Sequence, residues 1–441
     1  MSSQEAQAFA EQQQPAVPQA AAIYLAVVQF LFATMWVVYV LFLPGLAEAV
    51  GVRRDLVIWT LLLDQVTFVV MDFAMGVAAD RVARLFGRVA LPIVVTTAVS
   101  CLAFLLIPLV SGLGEVNKPG AEALFFGLIL IWSATSSVLR APPWVMLSKY
   151  AAMPSVPWLA ALSLIGLSVA NAIAPYLGVV LRNVDPRVPF AVSSLTLFAI
   201  TAGLLWVERA LARQSTDGVG RSAAPPASDR PDGAGVAAPE VTTGTRVARF
   251  LLAAFVVGAG ILAFGFQAYT SFNSAAQYLR FAQPADLELL LPIFWIGFSL
   301  FSFPAALLAS RIGSLSVMAW AGAIGAIGTL ISALAPNLPL TILGQLVAGG
   351  AWGCVLTAGL SAAIGLGRPA REGTTLGLWF SVQAIATVIR MALVAGEINK
   401  APDFSALVTW VPAVLWLASA LLLAVALARA GRLSVTQRAS V

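Results

Sequence analysis

The chain has 441 residues, 60% of them hydrophobic and 10% charged, where an average soluble domain carries about 25% charged residues. With a mean hydropathy of +0.91, this composition excludes an ordinary soluble enzyme and an intrinsically disordered chain. The net charge of +5 does not indicate nucleic acid, because the arginines are scattered over short loops and form no dense patch. Histidine is absent, and Cys101 and Cys354 each sit inside an apolar stretch. No imidazole chemistry, metal site, disulfide framework or cofactor is expected from such a set.

Residues 1–19 are polar and Gln-rich, without Lys or Arg, which reads as a retained tail and not as a signal peptide. Apolar runs follow at approximately 20–44, 56–79, 88–110, 121–148, 156–182 and 188–207. A second set lies at 248–270, 287–309, 314–335, 339–364, 373–396 and 405–429. A bilayer-spanning helix needs roughly 20 apolar residues, and none of these runs alternates with the period of two that strands require. The pattern predicts an all-α membrane protein of twelve transmembrane helices, arranged as two six-helix bundles over 20–207 and 248–429. The segment 208–247 is rich in Ala, Pro, Gly, Ser and Thr and balances its arginines with acids, as a flexible linker does. Residues 430–441 form a short tail. If the N-terminus lies inside, 16 Lys and Arg residues fall on the inner side and 7 on the outer side. This bias predicts that both termini are cytoplasmic.

The two halves carry a weak internal repeat. The second-to-third junction reads GVAADRVARLFGRVALP and the eighth-to-ninth reads PAALLASRIGSLSVM. Each places a small-residue helix end, an arginine and then a glycine before the next helix. Six helices plus six, with corresponding junctions, is the pattern of a two-bundle transporter.

Four charges lie well inside apolar runs: Asp64, Asp72, Arg140 and Arg390. An ion at the bilayer centre costs at least about 2.5–3.5 kcal/mol, which makes each a functional candidate. Asp64 and Asp72 are eight residues apart on the second helix, about 80° around its axis, so they share a broad face. They are candidates for a proton or cation site, with structural helix–helix bonding as the alternative. Arg140 is followed by Pro142 and Pro143, which should kink the fourth helix. Arg140 and Arg390 come from opposite halves and would together clamp a carboxylate or phosphate, unless each is paired within its own half. Trp132, Trp144, Trp295, Trp352 and Trp379 also lie within helices, where most tryptophans simply pack.

The stretch Asp72-Phe-Ala-Met-Gly76-Val-Ala-Ala-Asp80, followed by Gly87-Arg88, resembles the longer variant of the major facilitator loop motif. That variant occurs in the glycoside–pentoside–hexuronide:cation symporters, the melibiose-permease-like group. Trp132, then Arg140-Ala-Pro-Pro-Trp144, and Ser381-Val-Gln383 resemble further stretches of that group. The resemblance implies the major facilitator fold, a cavity between the bundles for a small-molecule substrate, and coupling ions held on the second helix. It implies a coupling site at Asp72 and Ser137, with Asp64 a further candidate from its position. It implies substrate contacts by Trp144 and by Gln383, beside Arg140, Arg390 and Gln29. The loop of Gly76, Asp80, Arg81, Gly87 and Arg88 is assigned to gating.

The sequence departs from the group's pattern at decisive places. Phe68 replaces the second cation-site acid, Arg140 replaces the sugar-anchoring acid, and the cavity lysine falls on Val388, two residues before Arg390. These exchanges favour a carboxylate-bearing solute over a neutral glycoside, and a proton over sodium. The expectation is a monomeric proton-coupled symporter of the inner (plasma) membrane, sugar-like or carboxylate-bearing in its substrate. The alternative is a proton-driven exporter of the same superfamily, because Gly166, Ala170, Ala174-Pro175 and Gly178 on the fifth helix resemble a degraded antiporter motif. Close helix packing explains the same small residues.

Overall fold

The computed structural model describes residues 16–113, 118–221 and 241–438, and among these it is helical throughout. Twelve helical spans are long and apolar enough to cross a bilayer. The first six are α1 (Gln19–Ala49), α2 (Val57–Phe86), α3 (Ala90–Ser111), α4 (Pro119–Tyr150), α5 (Met153–Val180) and α6 (Arg187–Gln214). The second six are α7 (Val247–Tyr278), α8 (Pro284–Ile312), α9 (Ser314–Leu334), α10 (Leu338–Gly367), α11 (Glu372–Ala395) and α12 (Phe404–Arg432). Large apolar side chains such as Leu195, Trp320 and Val414 are exposed on the outer surface, where a protein in lipid has no reason to hide them. The starts of α1 and α7 and the ends of α6 and α12 share one face, called here the terminal face.

The helices run further into the 208–247 segment than its hydropathy indicated. One continues from Leu204 to Arg221 and the next begins at Val241. The helix outlasts the hydrophobic run because its backbone bonds are satisfied internally whether or not lipid surrounds it. Residues 222–240 lie outside the described residues. The same extension occurs at the ends, where α1 belongs to a helix starting at Ala16 and α12 to one ending at Arg438.

Packing repeats with an offset of six helices. Helix α1 packs on α5 and α6, α2 on α4, and α3 on α4 and α6, while α7 packs on α11 and α12, α8 on α10, and α9 on α10 and α12. The halves meet through α2 against α11 and α5 against α8, two pairs that the same offset interchanges. Both junction glycines have positive φ, +66° at Gly87 and +87° at Gly313, where a side chain is strained, although ψ differs (0° and 147°). The repeat read from the sequence is therefore matched by a repeat of helix packing.

Small residues set the closest approaches. A Cβ on Gly166 would stand 1.7 Å from the Ala26 carbonyl oxygen of α1. Without a hydrophobic effect between helices in lipid, such contact supplies the dispersion that holds them. This places Gly166 in helix packing. Gly178, near the other end of α5, has nothing within 4 Å of its would-be Cβ. Gly166→Ala is expected to destabilise the protein by about 1–3 kcal/mol through overpacking, seen as a lower melting temperature in detergent. Gly178→Ala is expected to leave it unchanged or slightly higher, and equal behaviour of the two variants would refute this assignment.

Candidate functional site

The site begins with a break in α4. Its first helix ends at Ser136, a 3-10 turn covers Ser137–Leu139, and a new helix starts at Pro142. Proline at the first helical position tolerates its missing N–H there but cannot continue the preceding turn. Arg140 sits in this break, inside the membrane span. Its Nη1 lies 2.9 Å from the Asp72 Oδ2, so the arginine is paired within its own half. The pair is off hydrogen-bonding geometry, and among the described residues neither Asp72 oxygen has a hydrogen-bond partner. The guanidinium also lies 5.2 Å from the ring centroids of Phe68 on α2 and Phe380 on α11. Arg140 thus joins both halves. Ser137 is fully buried and stands beside the Asp72 carboxylate, where the resemblance put it.

Asp64 is not part of this group. Its carboxylate accepts hydrogen bonds from the Tyr39 hydroxyl and, at 2.6 Å, from Ser133 Oγ. Trp36, Tyr39, Trp132 and Phe104 pack around that pair of helices. The two aspartates share a helix but face different neighbours, so the sequence-derived grouping of Asp64 with Asp72 and Ser137 is corrected: Asp64 bridges α1, α2 and α4 from within the first half.

Arg140 and Arg390 line one cavity between the halves, of about 360 Å³. Gln29 lines it too, with its amide nitrogen donating to the Leu139 carbonyl at 2.9 Å. Arg390 forms no ion pair or hydrogen bond among the described residues, and its Nε is buried without a partner. Two sequence-derived substrate contacts fall elsewhere. Trp144 is 3% exposed and belongs to the packed core, because the helix restart at Pro142 sets a register that turns it away from the cavity. Gln383 is also off the cavity wall, with a buried amide nitrogen that has no partner. The wall instead includes Trp36, Gln65, Asn171, Gln267, Phe380 and Thr387. The polar four could have been suspected as isolated polar residues inside apolar runs, but nothing in one sequence ranks them above Thr34 or Gln383.

No protein-family profile matches the chain, and no curated protein matches it in sequence. Solved structures do. The human organic anion transporter MFSD10 (TETRAN) superposes with a TM-score of 0.62 at 16% identity, over 93% of this chain and 100% of that one. The Major Facilitator Superfamily transporter FucP, in its outward conformation, gives 0.59 at 16% identity, over 92% and 98%. The chain has the major facilitator fold.

In this fold the two halves enclose the site, and here they are shut on the terminal face. Gly76 of α2 lies so near α11 that a Cβ would stand 2.1 Å from the Gly373 carbonyl oxygen. Asp80 accepts from the backbone N–H groups of Gly373 and Thr374, both at 2.7 Å, and from the Thr374 hydroxyl at 2.7 Å. It caps the unsatisfied N–H groups at the start of α11. In return Arg368, before α11, donates to the carbonyls of Ser148 at 2.6 Å and Ala151 at 3.1 Å, at the end of α4. The contact ends with the Ser381 hydroxyl on the Val69 carbonyl at 2.8 Å. Further from the terminal face, Gln65 and Phe68 of α2 and Phe380, Thr387 and Arg390 of α11 line the cavity.

The remaining residues of the loop motif divide. Gly87 ends α2 in the left-handed region and its carbonyl accepts from Lys149 Nζ. Arg81 and Arg88 are exposed and form no ion pair or hydrogen bond among the described residues, which removes the reason to count them in a closed gate. Glu208, which the sequence reading left in the linker, is buried and accepts from Val89 N at 2.7 Å and Ala90 N at 3.1 Å. It caps α3 as Asp80 caps α11.

Loss of a helix cap costs typically about 1 kcal/mol, roughly a fivefold change in an equilibrium. Asp80→Ala is therefore expected to open the terminal face about fivefold more often. In a background with Cys101 and Cys354 replaced by serine, a cysteine at the buried Ser148 position reports this as faster alkylation. An unchanged rate would show that Asp80 does not hold the face shut.

Proposed function

We propose that this chain is a secondary transporter that carries a small organic anion together with a proton, by rocking of residues 20–207 against 248–429. Arg390 carries the reading. It is a guanidinium in a membrane span, on the wall of the central cavity, without an acidic partner among the described residues. Such a charge costs several kcal/mol unless something compensates it. An anionic solute supplies that compensation, and a neutral glycoside does not. The fold likeness to a human organic anion transporter agrees with this assignment.

The coupling follows from the charges. Asp72 and Arg140 cancel, so the empty cavity has a net charge of +1 from Arg390. A proton on Asp72 releases Arg140 and raises the charge to +2, which strengthens anion binding. By linkage the anion raises the proton affinity of Asp72 equally. Proton and anion therefore load together, which is symport. An exporter working by antiport needs them to compete. A monoanion with its proton leaves the cavity at +1, the same charge as the empty protein, so both forms cross at similar electrostatic cost. Phe68 leaves this site with one carboxylate. That suits a proton, whereas a hard metal cation needs several oxygen ligands. The resemblance to cation symporters thus supports the mechanism, with the cation exchanged.

The arginine distribution puts the terminal face in the cytoplasm. The closed α2–α11 crossing then leaves the cavity facing outward in the plasma membrane, ready to load. The protein works as a monomer, because one chain supplies both halves of the cavity.

In proteoliposomes with an internal pH dye, a carboxylate substrate is expected to acidify the lumen. Arg390→Ala should weaken its apparent affinity about 10–150-fold, the worth of a charge-assisted hydrogen bond of about 1.5–3 kcal/mol. Asp72→Asn should abolish proton movement and make anion binding independent of pH. Unaltered anion uptake by Arg390→Ala would defeat the proposal, and proton movement persisting in Asp72→Asn would defeat the coupling mechanism.

A further inference from the structure

The cavity wall restricts what kind of anion fits, and the following rests on the anion reading given above. Each amide on the wall except Gln65 gives one of its N–H groups to the protein itself. Gln29 Nε2 donates to the Leu139 carbonyl at 2.9 Å, and Asn171 Nδ2 to the Leu167 carbonyl at 2.8 Å. Gln267 Nε2 donates to Thr387 Oγ1 at 2.8 Å, and that hydroxyl donates in turn to the Gln383 carbonyl at 3.1 Å. Thr387 is thus both accepting and donating. Among the polar residues of the wall, Gln65, Arg140 and Arg390 have no hydrogen bond among the described residues. A polyhydroxylated solute needs a donor or an acceptor for each hydroxyl it removes from water. The ring-bearing part of this wall offers none.

What it offers is ring surface. Trp36 of α1 is half-buried on the cavity, stacked on Trp132 at 5.5 Å and edge-on to Phe68 at 5.6 Å. Phe32, Phe68, Leu167, Phe380 and Met391 complete an apolar lining drawn from both halves. Arg140 does not interrupt it, because its guanidinium lies against the rings of Phe68 and Phe380 and its edge is on Asp72.

The charge and the rings are also separated along the cavity. On α11, Phe380 and Arg390 are ten residues apart, about 15 Å along the axis at 1.5 Å per residue. Phe380 is near the closed crossing and Arg390 lies further towards the open side. An extended arginine side chain covers a few ångströms of that interval, leaving roughly 10 Å between the guanidinium and the rings.

We infer that the cargo is an amphipathic monoanion: one carboxylate held at Arg390, on an apolar, ring-bearing body about 10 Å long that reaches down to Trp36, Phe68 and Phe380. Sugars and hexuronates would set unpaired hydroxyls against this ring surface, and very short carboxylates leave the aromatic floor empty. A ring on that floor touches α1 and α2 on one side and α11 on the other, so its arrival bears directly on the contact between the halves.

The test is binding to the full-length wild-type protein in nanodiscs, by calorimetry, of 4-phenylbutyrate, butyrate, glucuronate and glucose. 4-Phenylbutyrate is expected to bind at least about tenfold more tightly than butyrate or glucuronate, the discrimination that an apolar pocket gives for added hydrocarbon. Trp36→Ala and Phe380→Ala, each checked for monodispersity, should narrow the gap between 4-phenylbutyrate and butyrate to under about threefold. Arg390→Ala should weaken both acids alike. Equal binding of 4-phenylbutyrate and butyrate, or tighter binding of glucuronate, would overturn this inference and leave the anion reading standing. Glucose binding more tightly than every acid would overturn the anion reading itself.

Discussion

The structure turns on one guanidinium placed where a membrane helix is broken. Arg140 lies between the 3-10 turn Ser137–Leu139 and the restart at Pro142. A charge at that depth must be compensated, and each of its contacts does structural service. Asp72 neutralises it from α2, Phe68 covers it within the same half, and Phe380 covers it from the other half. A ring and one carboxylate of α2 thus hold the guanidinium between them, and a second ring meets it from α11.

That pairing decides the charge of the cavity. With Asp72 consumed by Arg140, Arg390 remains as an uncompensated charge on the wall. Three of the polar neighbours each give one N–H to a backbone carbonyl or to Thr387, and Trp36, Phe68 and Phe380 supply ring surface beside them. Charge and apolar lining therefore describe the same kind of cargo. In the proposed function they also agree on direction of coupling, because a proton on Asp72 and an anion at Arg390 favour each other, whereas a proton and a cation would compete.

Much of this was legible in the chain. The twelve spans, the break at Pro142 and Pro143, and the four intramembrane charges follow from hydropathy and from the cost of burying ions. The junction repeat ending in Gly87 and Gly313 was legible because glycine at a helix end reports a backbone requirement. What was not legible depended on register and on distant partners. Trp144 is one turn from Arg140, yet the helix restart sends the tryptophan into the core and the arginine into the cavity. Asp80 was assigned to the gate as a loop residue, but its partners, the N–H groups of Gly373 and Thr374, are almost three hundred residues away. Glu208 sits where hydropathy has already fallen, and only the folded chain shows that it caps α3. Gln267 and Asn171 reach the cavity because α5 and α7 are turned by contacts that no single-chain periodicity encodes.

The closure must be weak enough for the cavity to undo. The terminal face is held by two reciprocal helix-end contacts, Asp80 on the start of α11 and Arg368 on the end of α4, and by the glycine crossing at Gly76. Caps are worth about 1 kcal/mol each. Reversing a two-state population from 1:99 to 99:1 takes about 5.5 kcal/mol of differential affinity, so a few such contacts are within the reach of a ligand that distinguishes the two states. The place where it can do so is specific. Phe380, which covers Arg140, adjoins Ser381, whose hydroxyl bonds α11 to α2 at the cavity end of their crossing. In the proposed function, a proton on Asp72 takes away the partner of Arg140 and so acts on the stacking at Phe380. From there the disturbance runs two turns along α11 to Gly373 and its cap. The stacking, the crossing and the cap all act on α11, so a displaced arginine sets the first against the other two. Packed helices answer such a conflict by moving as bodies, since close-packed contacts have discrete arrangements and do not deform continuously.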